Sequence, residues 1–295
     1  MTPSIPDNFL GLEARYSDFA RARFAVLPIP YDATTSFGVG ARDGPRAIIT
    51  ASQQVELYDE ALARESHRAG VATLPPLEPD ISGPAAMHER VYAAARGIVR
   101  QDKFLIGLGG EHGATSGLVR AVRARHKDLS VLQIDAHADL RDTYQGSPYS
   151  HACVMRRIHD LGVPAVGVGI RNYSAEEAQF IRSAGKLIMT GRTCHTSTGW
   201  IDDAVSALSP HVYVTIDIDG FDPAYAPGTG TPEPGGLNWY QVVDLLAAVA
   251  HTRTIVAADV VEVRPLPPGT ATEFLAAKLV YRLIGLVCRG PSRLR

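Results

Sequence analysis

Residues 129–139 read LSVLQIDAHAD, and this segment indicates both the fold class of the chain and its chemistry. Its first six residues are mostly apolar, as is typical of a short strand buried on both faces in an α/β sheet. Asp135, His137 and Asp139 follow at a spacing of two. Because alternate side chains of an extended backbone share one face, we expect these three to converge at the end of the strand. Charged groups at a buried sheet are costly unless a cation pairs with them, so the segment predicts a metal site.

Two further segments add side chains of the same kind. Residues 212–219 read VYVTIDID and bring two carboxylates, Asp217 and Asp219, to one face of an apolar strand. Residues 109–112 read GGEH and place His112 after a third apolar run. Taken alone, the two aspartates are also compatible with turn chemistry, and the histidine with an ordinary turn residue. Together the three segments outline a site for two metal ions.

Glu262 is a charged residue inside the apolar run 260–263, at the predicted carboxyl end of a strand. An unpaired carboxylate there is costly, so it needs a cationic partner, for which Arg264 is the simplest candidate. His151, by itself, is interpreted as a residue at the start of a helix, and Cys153 as a small buried apolar residue. The remaining histidines are assigned no role: His67, His88, His126, His159, His195, His211 and His251.

Strand and helix patterns alternate along the whole chain, without a linker or an internal repeat. Strands are predicted at 24–29, 104–108, 129–134, 166–170, 187–189, 212–219 and 255–263. Helices are predicted at 45–57, 85–100, 115–125, 150–157, 175–183, 201–208, 239–250 and 272–287. The Pro- and Gly-rich loop 221–236 is long enough to suggest a functional reason. We therefore predict one domain, residues 1–295, with three α/β/α layers, a mostly parallel sheet and its site at the carboxyl ends of strands.

Composition excludes several classes of protein. Hydrophobic residues make up 45% of the chain and charged residues 20%, so it can bury a large core and is not disordered. A formal net charge of −2 gives no indication of nucleic-acid binding. Three cysteines without paired spacing are consistent with a reducing compartment. The absence of a signal-peptide pattern and of a long apolar run leads us to expect no membrane span and a cytoplasmic location.

At this point the motifs resemble those of the ureohydrolase family, which includes arginase, agmatinase, guanidinobutyrase and formiminoglutamase. The likeness runs from about Val26 to Val287, and within the family the agmatinases are most similar. The resemblance therefore implies an arginase-like α/β fold. It rests on five segments that occur in a specific order: GGEH at 109–112, DAHAD at 135–139, SH at 150–151, DIDGFDP at 217–223 and APGTGTP at 226–232.

The resemblance implies a role for each motif residue. One Mn²⁺ would be held by His112, Asp135, Asp139 and Asp217, and a second by Asp135, His137, Asp217 and Asp219. Asp139 would also pass a proton toward the leaving amine, His151 would shuttle protons, and Glu262 would hold the guanidinium. The chain departs from the family at two positions beside a ligand, because the family more often has Asp where Glu111 stands and Ser where Gly113 stands.

By the same resemblance, the chain is expected to hydrolyse a small guanidino compound to urea and a primary amine. Agmatine, which would yield putrescine for polyamine biosynthesis, is favoured because the loop 141–151 lacks the polar segment with which arginase-like members recognise an α-carboxylate. The amine end of agmatine would instead meet Asp142, Tyr144 or backbone carbonyls. A homo-oligomer, trimer or hexamer, is also expected.

Several alternatives stay open. Guanidinobutyrase is one, since Arg141 near the mouth could pair with a carboxylate. An aminopropylagmatine ureohydrolase and a formiminoglutamase are others within the same class. Outside it stand a non-catalytic metal- or ligand-binding relative and a two-metal phosphoesterase. The latter is disfavoured because Gly-Asp and Asn-His motifs are lacking.

Overall fold

The computed structural model describes residues 5–290. Eight strands form one sheet in which every pairing is parallel, in the order β2-β1-β3-β8-β7-β4-β5-β6. Their bounds are β1 Phe24–Ile29, β2 Val71–Thr73, β3 Phe104–Gly109, β4 Leu129–Ile134, β5 Ala165–Ile170, β6 Leu187–Thr190, β7 His211–Asp217 and β8 Thr254–Val261. The predicted sheet is therefore confirmed and is parallel throughout.

Helices cover both faces of this sheet. Their bounds are α1 Ala14–Ser17, α2 Gly44–Ser52, α3 Pro84–Val99, α4 Thr115–Arg125, α5 Val154–Asp160, α6 Ala175–Ser183, α7 Gly191–Thr196, α8 Trp200–Ser206, α9 Trp239–Thr252 and α10 Ala271–Arg289. Within residues 5–290, none of them combines the length and apolarity needed to cross a bilayer.

The central strands are buried on both faces, as the sequence predicts. In β4, Leu132 and Ile134 pack into the core beneath α2, α9 and α10. Leu129 and Val131 pack into the opposite core, beneath α3, α4 and α5. All six residues of this strand are buried. Alternate side chains of β4 thus pack into the two cores on opposite faces of the sheet. This packing fixes the rotation of the strand about its axis, and therefore the direction in which the chain leaves it.

Some element boundaries differ from the prediction for identifiable reasons. Helix α2 ends at Ser52 rather than at residue 57, because the Ser52 hydroxyl donates to the carbonyl of Ile49 (2.6 Å) and accepts from the N–H of Leu10 (2.7 Å). Such bonds compete with helix continuation. Strand β8 ends at Val261 rather than at residue 263, because Glu262 adopts a φ of 60°.

Other elements also differ from the prediction: α1 is not predicted, and β7 ends at Asp217 rather than at residue 219, because Ile218–Gly220 form a 3₁₀ turn. Strand β2 was not predicted, because a three-residue edge strand is too short to give a periodic signal. Helix α7 was not predicted either. The segment predicted as one helix at 150–157 starts as a 3₁₀ turn, His151–Cys153, before α5 begins.

The sheet order decides where the site lies. Strands β3, β8, β7 and β4 are consecutive neighbours at the centre of the sheet. The residues that follow these four strands are the ones that the sequence analysis selected. Because the strands are parallel, their carboxyl ends meet at one edge, and four separate parts of the chain contribute to one site.

Candidate metal centre

The loop after β4 delivers three of the predicted ligands, but not by strand alternation. The strand ends at Ile134, so Asp135, His137 and Asp139 all lie beyond it. Asp139 adopts a φ of 54°, which turns this residue out of the extended register. The three side chains do meet, as expected, but the predicted reason is wrong: His137 and Asp139 face different partners.

The inner half of the site is organised around His112, whose side chain is 1% exposed. Its Nδ1 lies 3.1 Å from Asp135 Oδ2, 3.1 Å from Asp139 Oδ2 and 3.3 Å from Asp217 Oδ2. No described residue makes a hydrogen bond with this buried nitrogen, because none of the three oxygens has hydrogen-bonding geometry. We call these four residues the inner cradle.

The outer half of the site is organised around His137, whose side chain is 23% exposed. Its Nδ1 lies 3.0 Å from Asp219 Oδ2 and 3.7 Å from Asp135 Oδ1. We call His137, Asp135 and Asp219 the outer cradle. Asp135 belongs to both cradles and turns a different oxygen toward each of them. Asp217, the last residue of β7, joins the outer cradle only indirectly, because its Oδ1 accepts from the N–H of Asp219 (3.0 Å).

The electrostatics of the cradles favour cations. Burial, with the nearby charges of Asp139 and Asp219, raises the pKa of Asp135 to about 7. Burial alone would lower the pKa of His137, but Asp219 and the other carboxylates raise it to about 11. For His112, burial again acts to lower the pKa, but the neighbouring carboxylates outweigh it and hold the pKa well above its usual value. Buried carboxylates this close repel one another unless positive charge lies between them.

The donor set fits divalent metal ions. Two groups of residues have ligand atoms mutually within 4.8 Å: His112 with Asp135 and Asp139, and Asp135 with His137 and Asp219. The buried Nδ1 of His112, which lacks a hydrogen-bond partner, is the atom that an ion would satisfy. Carboxylate oxygens with a few imidazoles suit Mn²⁺, although other divalent ions bind such sets. All six predicted ligands thus lie together.

A buried polar network stands behind His112, and the sequence analysis missed it. The ring's Nε2 lies 2.9 Å from the Thr215 hydroxyl, which donates to Asp259 Oδ1 (2.6 Å). The Tyr213 and Thr115 hydroxyls donate to the other oxygen of this fully buried carboxylate. The signal was available, because Asp259 is a charge within the apolar strand β8.

Glu262 lies at the wall of the cleft beside the inner cradle. Its Oε1 accepts from the N–H of His112 (2.7 Å), and its own N–H donates to the carbonyl of Gly110 (2.7 Å). Burial raises the pKa of Glu262 to about 8. The expected pairing with Arg264 is wrong: the described residues form no such ion pair, and the Arg264 side chain instead lies against Gly40.

His151 stands on another wall of the same cleft, and burial lowers its pKa. Tyr144 meets it edge-on, with ring centroids 5.9 Å apart. Asp142, expected to receive a substrate amine, does not line the cleft and instead accepts from Arg157 (2.7 Å). Cys153 is buried, as predicted.

The cleft is a cavity of about 140 Å³ that opens to solvent above both cradles. Arg141 and Tyr144 line its mouth, where the Arg141 guanidinium lies 4.9 Å from the centre of the tyrosine ring. Glu177 lies 3.9 Å from Arg141 Nε and accepts from the backbone N–H of Leu140 (3.0 Å). The mouth of the cleft therefore carries the Arg141 cation, whose charge is partly offset by Glu177.

Comparisons with known proteins agree with this geometry. The model of the arginase family matches residues 22–285. An N(1)-aminopropylagmatine ureohydrolase of Synechocystis sp. is 40% identical over 95% of this chain and 94% of its own. An agmatinase of Pyrococcus horikoshii is 34% identical over 92% and 94% of the two chains. The crystal structure of the agmatine ureohydrolase of Thermoplasma volcanium superposes with a TM-score of 0.87, at 31% identity over 98% and 96%. The chain belongs to the arginase family.

Proposed function

We propose that this protein hydrolyses the guanidino group of an agmatine-type amine, releasing urea and a primary amine. The observation that carries the proposal is the pair of carboxylate-rich cradles sharing Asp135, with the free Oε2 of Glu262 beside them. A guanidinium carbon is a poor electrophile, because its charge is delocalised over three nitrogens. Attack by water on it therefore needs an activating site of this kind.

The cradles would hold two divalent cations, for which we propose Mn²⁺. His112, Asp135, Asp139 and Asp217 would bind one, while Asp135, His137, Asp217 and Asp219 would bind the other. When bound, the two cations together would lower the pKa of a water molecule to near neutrality. Both imidazoles would have to be unprotonated, which the ions themselves would favour.

The protein's own residues would then orient the substrate and move protons. Glu262 Oε2 accepts no hydrogen bond from the described residues, so it can bind the guanidinium by charge-assisted hydrogen bonds. Hydrolysis adds the water oxygen to the guanidinium carbon and breaks one C–N bond, and the departing nitrogen takes a proton. Asp139, beside the cations, would pass that proton, and His151 would exchange it with solvent.

The tail of the substrate is the finer part of the proposal. The loop 141–151 favours agmatine, but the relative at 40% identity and another at 39%, from Thermus thermophilus, are named N(1)-aminopropylagmatine ureohydrolases. The agmatinase relative is 34% identical. We therefore rank N(1)-aminopropylagmatine first and agmatine second. The cleft opens to solvent and Tyr144 lines it, so we propose that the longer tail extends past Tyr144.

Urea release from a panel of guanidino compounds, with Mn²⁺-loaded protein, tests this function. We expect kcat/KM for N(1)-aminopropylagmatine and agmatine to exceed that for arginine by at least tenfold. The cause is that Arg141, the cation at the mouth, is already partly offset by Glu177, so an α-carboxylate would be incompletely paired, a cost of about 1–3 kcal/mol. Faster turnover of arginine, or no urea from any compound, would refute the proposal.

The variant Arg141→Gln distinguishes substrates with a cationic tail from those with a carboxylate tail. Removing this cation should raise kcat/KM for the cationic substrates a few-fold and lower it for 4-guanidinobutyrate, whose carboxylate would pair with Arg141. A wild-type preference for 4-guanidinobutyrate that disappears in Arg141→Gln would move the assignment to guanidinobutyrase.

The organisation of the protein is also part of the proposal. We propose one ureohydrolase domain over residues 1–295, a cytoplasmic location and a homo-oligomer. The absence of disulfides supports a reducing compartment, since Cys153, Cys194 and Cys288 are all free. Fractionation and light scattering test location and assembly.

A further inference from the structure

Glu111 and Gly113 flank the candidate ligand His112 in the sequence. Glu111 is 1% exposed and points away from the cradles toward Thr34. Its Oε2 accepts from the backbone N–H of Thr34 (2.6 Å), and its Oε1 accepts from the Thr34 hydroxyl (2.8 Å). The same hydroxyl oxygen lies 3.1 Å from His151 Nδ1 and accepts from the backbone N–H of His151 (3.0 Å).

The number of hydrogens available fixes the direction of the hydrogen bonds that run from Glu111 through Thr34 to His151. A threonine hydroxyl has one hydrogen and two lone pairs. If Thr34 gives its hydrogen to Glu111, its oxygen can only accept from His151, so the imidazole must carry its proton on Nδ1. The other ring nitrogen, Nε2, is then left as a free base. Ser150 Oγ is the other hydroxyl near Nδ1, at 3.3 Å, and is the weaker partner by distance.

Gly113 makes room for this arrangement. A Cβ added at position 113 would lie 3.0 Å from Glu111 Oε1 and 3.2 Å from the carbonyl oxygen of Tyr149. A side chain at 113 would therefore press on the Glu111 carboxylate, which would have to shift by a few tenths of an ångström. The two positions are thus coupled: Glu111 reaches Thr34, and a side chain at 113 would crowd its carboxylate.

Thr34 is itself held in place by the buried Asp32. Oδ2 of Asp32 accepts from the backbone N–H groups of Gly40 (3.0 Å) and Arg42 (3.2 Å), while its Oδ1 pairs with the Arg42 guanidinium. The loop that carries Thr34 is thereby anchored at both ends, so the hydroxyl can transmit the position of Glu111 to His151.

We propose that Glu111, acting through Thr34, is a positioning residue that sets the tautomer and orientation of His151, and that Gly113 leaves the Glu111 carboxylate undisturbed in this position. This inference rests on the proposed function, because it assumes that His151 transfers protons during hydrolysis. Its physical claim concerns only the imidazole, and can be measured without turnover.

Glu111→Gln is the first test, because it reverses the hydrogen bonds without changing shape. The glutamine oxygen must face the Thr34 N–H, so the amide NH₂ faces the Thr34 hydroxyl. The hydroxyl then gives its hydrogen to His151 Nδ1, and the imidazole moves its proton to Nε2. Spectra and rates of both proteins are compared at the same pH, about 9, which is well above the ordinary pKa of a glutamate.

The tautomer is read from ¹⁵N-histidine NMR of the Mg²⁺-loaded protein, with the His151 signal identified by its loss in His151→Asn. We expect Nδ1–H in the wild type and Nε2–H in Glu111→Gln, with unchanged metal content. We also expect kcat to fall roughly 10²-fold, at the lower end of what a positioned acid–base group contributes. The same tautomer in both proteins would overturn the inference, whatever the activity.

A swap cycle tests the pairing of positions 111 and 113. Glu111→Asp alone should lower kcat about tenfold, because the shorter carboxylate no longer reaches Thr34, and Gly113→Ser alone should lower it through the contact with Glu111. The double variant Glu111→Asp/Gly113→Ser should be little slower than Glu111→Asp alone, because the shortened carboxylate has already left Thr34 and a serine at 113 then displaces no bond that is still made. Losses that simply multiply in the double variant would contradict the pairing.

The last test separates positioning from general stability. In a His151→Ala background, Thr34→Val and Glu111→Gln should cause no further loss of kcat, because the residue through which they act is gone. Further tenfold losses there would mean that they act independently of His151. If no guanidino compound yields urea, the proposed function fails, while the NMR result still decides the inference about His151.

Discussion

The two cradles use similar ligands but differ in what stands behind them. In the inner cradle, His112 is buried and its second nitrogen lies against Thr215, which is fixed by the buried Asp259. In the outer cradle, His137 is nearly one quarter exposed, and the charged group nearest its second nitrogen is Glu233, at 3.9 Å. One imidazole is therefore preset in orientation and tautomer, while the other is free to adjust.

If the two cradles hold two ions as proposed, this difference predicts that they bind them with different affinities. A ligand whose second nitrogen is hydrogen-bonded needs no reorganisation on metal binding, so the inner cradle should bind more tightly. The outer cradle lies at the rim beside the loop 221–236 and should exchange its ion more readily. The following predictions test that asymmetry, from the largest expected effect to the smallest.

The largest effect should come from removing the carboxylate that both cradles share. Asp135→Ala should lose both ions and all detectable urea release, since each Asp135 oxygen faces a different cradle. Asp217→Ala should do the same if Asp217 bridges. Elemental analysis and a urea assay measure this, with the exposed Asp203→Ala as the matched control. Chelation of the wild type should abolish activity, and Mn²⁺ should restore it. Two ions retained in Asp217→Ala would refute its role.

Replacing one imidazole at a time should separate the cradles. We expect His137→Asn to keep the inner ion and to lose the outer one, whereas His112→Asn should weaken both, because it removes the centre of three carboxylates. Metal content after dialysis distinguishes the variants, and the electron paramagnetic resonance of a coupled Mn²⁺ pair should vanish in each. Equal metal content in the two variants would argue against an asymmetric site.

Much of the fold and of the candidate ligand set was predictable from the sequence, because both depend on local patterns. Apolar runs identified the central strands, and carboxylates directly after such runs are costly enough to imply a purpose, as at Asp135 and Asp217. The parallel sheet then brought these separate segments to one edge. Helices α4 and α6 were predicted to the residue because each is a continuous periodic segment.

The features that escaped prediction depend on distant parts of the chain. Thr34 meets His151 across 117 positions, and no local pattern marks a hydroxyl that lies between a carboxylate and an imidazole. The φ of 54° at Asp139 is equally unmarked, because aspartate gives less warning of a left-handed backbone than glycine does. Asp259 is different: its charge within a strand was visible and was overlooked.

A smaller effect should follow from disturbing the support of the inner cradle. Thr215→Val removes the hydrogen bond to His112 Nε2 at nearly constant volume. We expect metal affinity at the inner cradle to fall about 10–100-fold, while the outer ion is weakened less. Titration with Mn²⁺ by calorimetry measures both, and the exposed Thr252→Val is the control. A loss confined to the outer ion would reverse the assignment of the two cradles.

The smallest effect on activity should come from the support of the outer cradle, which Arg171 provides. Its guanidinium donates to the carbonyls of Gly169 (3.0 Å), Asp219 (2.7 Å) and Glu233 (2.7 Å), and so ties the outer ligand Asp219 to the long loop after it. This is a physical reason for the loop's length: its backbone carbonyls surround a half-buried cation.

The variant Arg171→Lys offers one donor group in place of a planar guanidinium and leaves several of these carbonyls unpaired. We expect a loss of about 1–3 kcal/mol in the free energy of unfolding, a few-fold weaker outer ion and an unchanged inner ion. Thermal denaturation and the same calorimetric titration measure these quantities. An inner ion weakened as much as the outer one would mean that the two cradles respond as a unit, and the comparison drawn between them would fail.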